Sequence, residues 1–154
     1  MGRVPKKIGE ILIENGLLTP EHLFLALEEQ KRTKEFLGKI LVKHSFISEN
    51  DLMKILSVQY DIPIVSIKNL SLNWELVKEF SPSFVLDCKC LPLKKEEYSI
   101  TVAISNPLDV RAIQKAEEEA RGLKVKFVLA LESEIEHMLQ GYRPLYQKRV
   151  TDSF

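Results

Sequence analysis

A stretch that occurs twice constrains this sequence more than any other feature. The first copy, Lys7–Gln30, reads KIGEILIENGLLTPEHLFLALEEQ, and the second, Phe36–Gln59, reads FLGKILVKHSFISENDLMKILSVQ. At an offset of 29 positions the copies share a glycine, a helix-capping Thr or Ser, a row of apolar residues and a terminal Gln. Two unrelated amphipathic helices would share only the apolar spacing, so we interpret the stretch as a duplicated unit.

Each copy is predicted to form a helical hairpin, because its apolar residues recur at helical spacing on both sides of a break. In the first copy Gly16 supplies a left-handed stop, and Thr19 before a proline starts the next helix. In the second copy Ser45 stands at the position of the stop, and Ser48 is the cap. The sequence therefore predicts about four helices in an N-terminal lobe, residues 1–62.

The hydrophobic pattern changes after Pro63, where short β-type runs alternate with helical ones. Strands are predicted at 64–67, 90–93, 99–104 and 125–129, and helices at 72–80, 84–86, 109–121 and 132–141. This order predicts a small mixed α/β sandwich lobe at residues 63–146, followed by a disordered tail at 147–154. The predicted fold class is α+β.

Composition excludes several classes of protein. The 154 residues suit one domain or two small lobes, and 22 basic residues balance 22 acidic ones, which argues against nucleic-acid or anionic-membrane binding. No apolar run reaches the roughly 20 residues of a membrane span, and a signal peptide is not recognisable. Cys88 and Cys90 are too close in sequence to staple a fold, so we expect a cytoplasmic protein with reduced thiols.

Catalytic and metal-binding patterns are missing from the sequence. The six glycines do not form a Walker A motif, so the chain is not expected to hydrolyse nucleotide. The Cys88-x-Cys90 pair lacks a second pair of ligands at zinc-site spacing, and the three histidines are scattered. We therefore predict neither an enzyme nor a metal site.

Two matched features of the repeat exceed what a simple amphipathic helix needs. Gly9 and Gly38 lie inside helical patterns, where each costs about 1 kcal/mol relative to alanine. Such a pair indicates close backbone approach, of helix to helix or of helix to ligand. Gln30 and Gln59 end the apolar faces, where each amide would be either solvated or placed at the edge of a groove.

The two copies resemble the tandem motif of the MshEN, or general secretion pathway protein E N-terminal, domain of type II secretion and type IV pilus assembly ATPases. The second lobe carries further similarity in CLPL at 90–93, in TVAISNPLD at 101–109 and in the ending at 132–142. The resemblance covers roughly residues 6 to 146. It implies a domain without the ATPase motor.

Some members of that family bind cyclic di-GMP through the duplicated motif. Carried over to this sequence, the resemblance implies these ligand-binding positions: Lys7, Ile8, Gly9, Gly16, Leu23, Leu27, Gln30, Leu37, Gly38, Leu52, Leu56 and Gln59. This chain departs from the motif where Lys7 and Phe36 replace arginine and where Ser45 replaces glycine. A lysine cannot copy the planar stacking of a guanidinium.

The resemblance also implies a protein-interaction role. In the family this region links the ATPase to the cytoplasmic domain of an inner-membrane assembly protein, which would hold the domain at the inner membrane through a partner. Docking requires a contiguous apolar patch, whereas ligand binding requires Gly9, Gly38, Gln30 and Gln59 on one accessible surface. We predict a docking adaptor without a cofactor, and cyclic di-GMP binding is the alternative.

Overall fold

The computed structural model describes the backbone of residues 7–152 and the side chains of residues 7–142. Its α-helices are α1 (Ile8–Glu14), α2 (Pro20–Thr33), α3 (Leu37–Lys43), α4 (Glu49–Tyr60), α5 (Trp74–Val77), α6 (Val110–Glu119) and α7 (Glu132–Asp152). Its strands are β1 (Leu91–Lys95), β2 (Ser99–Ile104) and β3 (Lys124–Leu129). The chain divides into two compact units, Met1–Ile55 and Leu56–Phe154.

Helices α1 to α4 form the predicted pair of helical hairpins, and the first unit contains all of them except the last residues of α4. The helix boundaries follow the predicted signals. The Thr19 hydroxyl accepts a hydrogen bond from the amide of His22, and the Ser48 hydroxyl accepts one from Asp51. Gly16 and Ser45 both have left-handed backbone, with φ of 71° and 59°. Ser45 thus keeps the stop of the first copy although it has a Cβ.

An apolar core joins the two copies of the repeat within the first unit. Its buried members come from both copies: Leu12, Leu18, Ala26, Ile40, Leu41 and Ile47. Because α2 and α3 both contribute to this core, the two hairpins pack against one another and are not separate folding units.

The second unit contains a three-stranded sheet in the order β1-β2-β3. A hairpin joins β1 and β2 antiparallel, and α6 crosses over so that β3 lies parallel to β2. The central strand β2 is buried along nearly its whole length. The Asp109 carboxylate accepts from the amide of Ala112 and starts α6, as predicted.

Residues 64–67 form one bridge where the sequence predicts a strand. Ile64 is bridged to Leu129 at the end of β3, and then the backbone turns away. The Glu134 carboxylate accepts hydrogen bonds from the Ser66 hydroxyl (3.3 Å) and the Ile67 amide (3.2 Å). A side chain of α7 therefore accepts the backbone hydrogen bond of Ile67 that a strand neighbour would accept.

Three predicted helices have other lengths in the structure. The helix expected at 72–80 is the single turn α5, and the segment 84–86 lies in a π-helical turn at Ser83–Asp87. The last helix continues past residue 141 to Asp152, so the backbone at 147–152, assigned to the predicted tail, belongs to α7, and residues 153–154 lie outside the described residues. No helix within residues 7–152 is both long and apolar enough to cross a membrane.

Candidate functional site

In each copy the shared glycine is in contact with a leucine from the other helix of the same hairpin. A Cβ built on Gly9 would lie 2.8 Å from Cδ1 of Leu23, and one built on Gly38 would lie 2.9 Å from Cδ2 of Leu52. Both contacts are closer than a real Cβ tolerates. The close approach indicated by the sequence is therefore helix to helix. Gly9 of α1 packs against Leu23 of α2, and Gly38 of α3 packs against Leu52 of α4.

The glutamines that end the two copies have different surroundings. The Nε2 atom of Gln30 donates to the backbone carbonyl of Glu35 at 3.1 Å and so ties the end of α2 to the connection before α3. Gln59 is exposed and belongs to the second unit. The repeat is thus matched in sequence at these positions but not in local structure.

The remaining candidate ligand residues fall into buried and exposed groups. Ile8 and Leu37 are half-buried against the core of the first unit, and Leu56 is buried in the second unit. The exposed positions are Lys7, Gly16 and Leu27. The structure brings the glycine–leucine pairs together inside each hairpin, but it does not place Gly9 on an accessible surface, because Gly9 is buried.

The outer side of α2 carries large apolar side chains in solvent, and of these the sequence pattern had pointed only to Leu27, as a candidate ligand contact. Phe24 is 63% exposed, Leu25 55% and Leu27 38%, whereas Ala26 is buried. The run Leu23–Leu27 contains five consecutive apolar residues. Because a helix cannot turn five consecutive side chains toward one core, this run was the signal for an exposed apolar surface. We call Phe24, Leu25 and Leu27 the α2 patch.

A polar cluster joins α2 to the end of α3. Glu29 accepts from Nζ of Lys43 at 3.1 Å and lies 2.7 Å from Nε2 of His44. The hydrogen bond from His44, followed by that from Lys43, holds the pKa of the Glu29 carboxyl below its usual value of 4.5. The rings of His22 and His44 both stack on Phe46, the former at 4.0 Å between centroids.

This cluster predicts a pH dependence of stability. Because the pKa of Glu29 is lowered on folding, its stabilising effect is present above pH 4.5 and is lost as the pH falls through the folded pKa. Urea unfolding of Glu29→Gln and of the unchanged chain should differ at pH 6 and converge toward pH 3. A gap that stays constant over that range would contradict the prediction.

The cysteines do not form a reactive site. Burial raises the pKa of both Cys88 and Cys90, and the Sγ of Cys90 donates to the carbonyl of Cys88 at 3.4 Å. Both are free thiols in the protonated form, which is a poor nucleophile and a poor metal ligand. Among the described residues no three His, Cys, Asp or Glu side chains group as a metal site requires.

Comparison with known proteins finds similarity to type IV pilus assembly ATPases and to a bacteriophage adsorption protein. The type IV pilus assembly ATPase PilB of Myxococcus xanthus is 26% identical over 136 residues, which is 88% of this chain and 24% of PilB. Bacteriophage adsorption protein B of Escherichia coli K12 is 27% identical over 94% of this chain and 19% of its own length. The chain thus spans a quarter or less of these relatives.

Solved structures show the same fold. The structure of MshE with cdg, or cyclic di-GMP, covers 89% of this chain and 99% of that one, with a TM-score of 0.75 and 24% identity. The N-terminal domain of XpsE covers 91% of this chain and 97% of that one, with a TM-score of 0.76 and 22% identity. Each alignment covers about nine-tenths of this chain and therefore includes most of the duplicated helices.

A family model, the MshEN domain, matches residues 60–149, which is more than half of the chain. The matched region lies after the duplicated helices and contains the whole three-stranded sheet. On this match the chain belongs to the MshEN domain family.

Proposed function

We propose that this chain is a non-catalytic docking domain of a type II secretion or type IV pilus assembly ATPase. Its partner is the cytoplasmic domain of an inner-membrane assembly protein, which would hold the domain at the cytoplasmic side of the membrane. The observation that carries the proposal is the α2 patch, three large apolar side chains left in solvent on one helix.

Exposed apolar side chains concentrated on one helix are typical of a surface that another protein covers. Burying a Phe or Leu side chain contributes about 1.5–3 kcal/mol, so two or three such residues can supply the centre of an interface. An amphipathic helix that is laid into an apolar groove is a recurrent mode of recognition. The α2 patch has the composition that this mode requires.

The second copy of the repeat supports this interpretation by contrast. Met53 and Leu56 on α4 occupy the positions equivalent to Phe24 and Leu27, and both are buried, at 4% exposure each. Only the first copy therefore offers this face to a partner. Packing within the chain accounts for these two apolar residues of α4 but not for their equivalents on α2.

Two of the positions required for ligand binding, Gly9 and Gln30, are engaged in contacts inside the fold. Leu23 fills the space at Gly9, and the amide of Gln30 is bonded to Glu35. A ligand that needs both groups would have to displace these contacts, which favours docking of a protein over binding of a nucleotide.

Calorimetry with the purified cytoplasmic domain of the inner-membrane assembly protein tests the proposal. We expect saturable heat with a dissociation constant on the order of 1 µM, the usual range for a transient interface of standard size. Absence of heat at about 100 µM would contradict docking. Matched injections of buffer and of an unrelated acidic protein control for dilution and nonspecific charge effects.

Cyclic di-GMP binding is the second candidate, favoured by the fold shared with MshE with cdg. Lys7, Leu27 and Gln59 are exposed and available to a ligand. The same calorimeter tests it: heat with cyclic di-GMP that Lys7→Ala and Gln59→Ala each weaken would establish this candidate. These variants are better probes than changes at Gly9, which would also disturb the packing of α1 on α2.

A further inference from the structure

Strand β3 lies at one edge of the sheet, and hydrogen bonds at its two ends show which of its backbone groups face outward. The amide of Lys124 donates to the carbonyl of Tyr98 at 3.0 Å, and the amide of Ala130 donates to that of Ile104 at 2.9 Å. Successive residues of a strand direct their N–H and C=O groups to opposite sides. The even-numbered residues of β3 therefore face β2, and the odd-numbered ones face away from it.

The outward side of β3 is occupied at its C-terminal end and open before it. The Leu129 amide donates to the carbonyl of Pro63, and the Leu129 carbonyl accepts from the amide of Val65, each at 2.8 Å. Val125 and Phe127 face the same side, and in the described part of the chain no further strand lies beside them. These two residues therefore present two N–H and two C=O groups in the arrangement with which an added strand pairs.

The opposite edge of the sheet, strand β1, is unsuited to a new strand. Pro92 lacks an N–H, and the register with β2 shifts between Pro92 and Lys94. Helix α5 packs against β1. The ammonium groups of Lys94 and Lys95 lie 4.0 Å and 3.5 Å from the carboxylates of Glu96 and Glu79. Of the two edges, β3 is the one at which a strand can add.

The side chains of β3 define which strand fits this edge. Lys124 and Lys126 are exposed on one face of the sheet, whereas Val125 and Phe127 are half-buried on the other. Among the described residues, no carboxylate forms an ion pair with either lysine. Lysines on an edge discourage apolar strands, and opposite charges across a strand pair stabilise it. The edge therefore matches a strand in which acidic and apolar residues alternate.

Lys126 is expected to contribute more to this selection than Lys124. Glu96 and Glu97 lie in the turn before Tyr98, whose carbonyl accepts from the Lys124 amide. The start of β3 therefore has acidic groups near its lysine, and the positive charge of the edge is centred on Lys126. A substitution that tests the charge belongs at Lys126.

We propose that the open edge of β3 binds an extended acidic segment of another protein, which adds to the sheet as a fourth strand. Its acidic side chains lie beside Lys124 and Lys126, and its apolar ones lie beside Val125 and Phe127. A second copy of this chain does not fit, because antiparallel pairing of two β3 strands centred on Val125 or Lys126 places lysine opposite lysine. The site lies in the second unit and does not rest on docking through the α2 patch.

NMR titration of the isotope-labelled chain with the capped peptide Glu-Val-Glu-Val-Glu tests the site. Four backbone groups and two charges make a small contact, so we expect saturable shifts of the Val125 and Phe127 amides with a dissociation constant on the order of 100 µM. Hydrogen exchange of both amides should slow roughly tenfold at saturation. The peptide Lys-Val-Lys-Val-Lys should have neither effect. Absence of saturation at about 2 mM acidic peptide, or shifts confined to other surfaces, would overturn the proposal.

A reversal of charge tests the role of the lysines. Lys126→Glu should weaken binding of the acidic peptide roughly tenfold and allow the basic peptide to bind, a gain that also shows the variant to be folded. Lys94→Glu, an equal change of charge on β1, is the matched control and should bind the acidic peptide like the unchanged chain. The proposal fails if Lys126→Glu keeps full affinity or if Lys94→Glu loses as much.

Peptides methylated on backbone nitrogen distinguish strand addition from simple attraction of charges. One form of the acidic peptide carries the methyl groups on its valines, and the other carries them on its glutamates. A strand directs alternate N–H groups to its neighbour, so one form should lose binding and the other should keep it. Loss in the valine form indicates antiparallel addition, and loss in the glutamate form indicates parallel addition. Equal affinity of the two forms would overturn pairing through the backbone.

Discussion

Replacing Phe24 by glutamate is expected to weaken the proposed docking to an inner-membrane assembly protein about a hundredfold, or roughly 3 kcal/mol. The change removes the largest apolar side chain of the α2 patch and puts a charge where the interface excludes water. Stability of the chain should stay within about 0.5 kcal/mol, because Phe24 is 63% exposed and contributes little to the core. Calorimetry and urea unfolding measure the two effects separately.

Tyr98→Glu is the matched control, since Tyr98 is also a large exposed aromatic residue, at 77%, but lies between β1 and β2. It should bind the partner like the unchanged chain. Equal loss of affinity in both variants, or full affinity in Phe24→Glu, would contradict docking through α2.

Replacing Gly9 by valine is expected to lower the free energy of unfolding by about 2 kcal/mol. The new side chain has to enter space held by Leu23, whose Cδ1 would lie 2.8 Å from the added Cβ. Gly38→Val should have a similar effect in the second hairpin, where Cδ2 of Leu52 would lie 2.9 Å away. Urea unfolding monitored by circular dichroism gives both values.

Two further variants test whether the contact with leucine is the cause. Leu23→Ala combined with Gly9→Val should be more stable than the sum of the single changes, because the truncated leucine makes room for the valine. Gly141→Ala should be neutral or stabilising, since the nearest atom to its Cβ is Cζ2 of Trp74 at 3.4 Å. Additive losses in the double variant would show that Gly9 is needed for another reason.

Local signals in the sequence predicted the helix boundaries well. Thr19, Ser48 and Asp109 cap the helices that they were expected to start, and Gly16 ends α1 with positive φ. Such signals act over three or four residues, so the chain carries them wherever the tertiary contacts lie. The duplicated unit was likewise recognisable because its glycine, its helix cap and its terminal Gln repeat together with its apolar pattern.

Contacts between distant residues were not predictable in the same way. The sequence left open whether Gly9 approaches a helix or a ligand. The structure shows that it approaches a helix, because Leu23 of α2 lies directly against it. The cluster of Glu29, Lys43 and His44 depends on how α2 lies beside α3, which no local rule specifies. Residues 64–67 have strand-forming composition, yet the Glu134 carboxylate accepts the hydrogen bond of the Ile67 amide, which a strand neighbour would have accepted.

Divergence between the copies links the fold to the proposed function. Both copies keep the glycine and leucine that join the helices of a hairpin, because each hairpin needs them to close. The outer positions have diverged in burial, so that Phe24 is exposed while Met53 is buried. The two copies thus share the packing inside each hairpin and differ in that the first has an open apolar face.

Hydroxyl-radical footprinting of the complex with the inner-membrane partner tests the central claim most directly. With the partner in large excess over the expected dissociation constant, the ring of Phe24, which should react readily in the free chain, should lose most of its reactivity. Tyr98 should stay equally reactive in both samples. A complex in which Phe24 remains as reactive as in the free chain would contradict docking through the α2 patch.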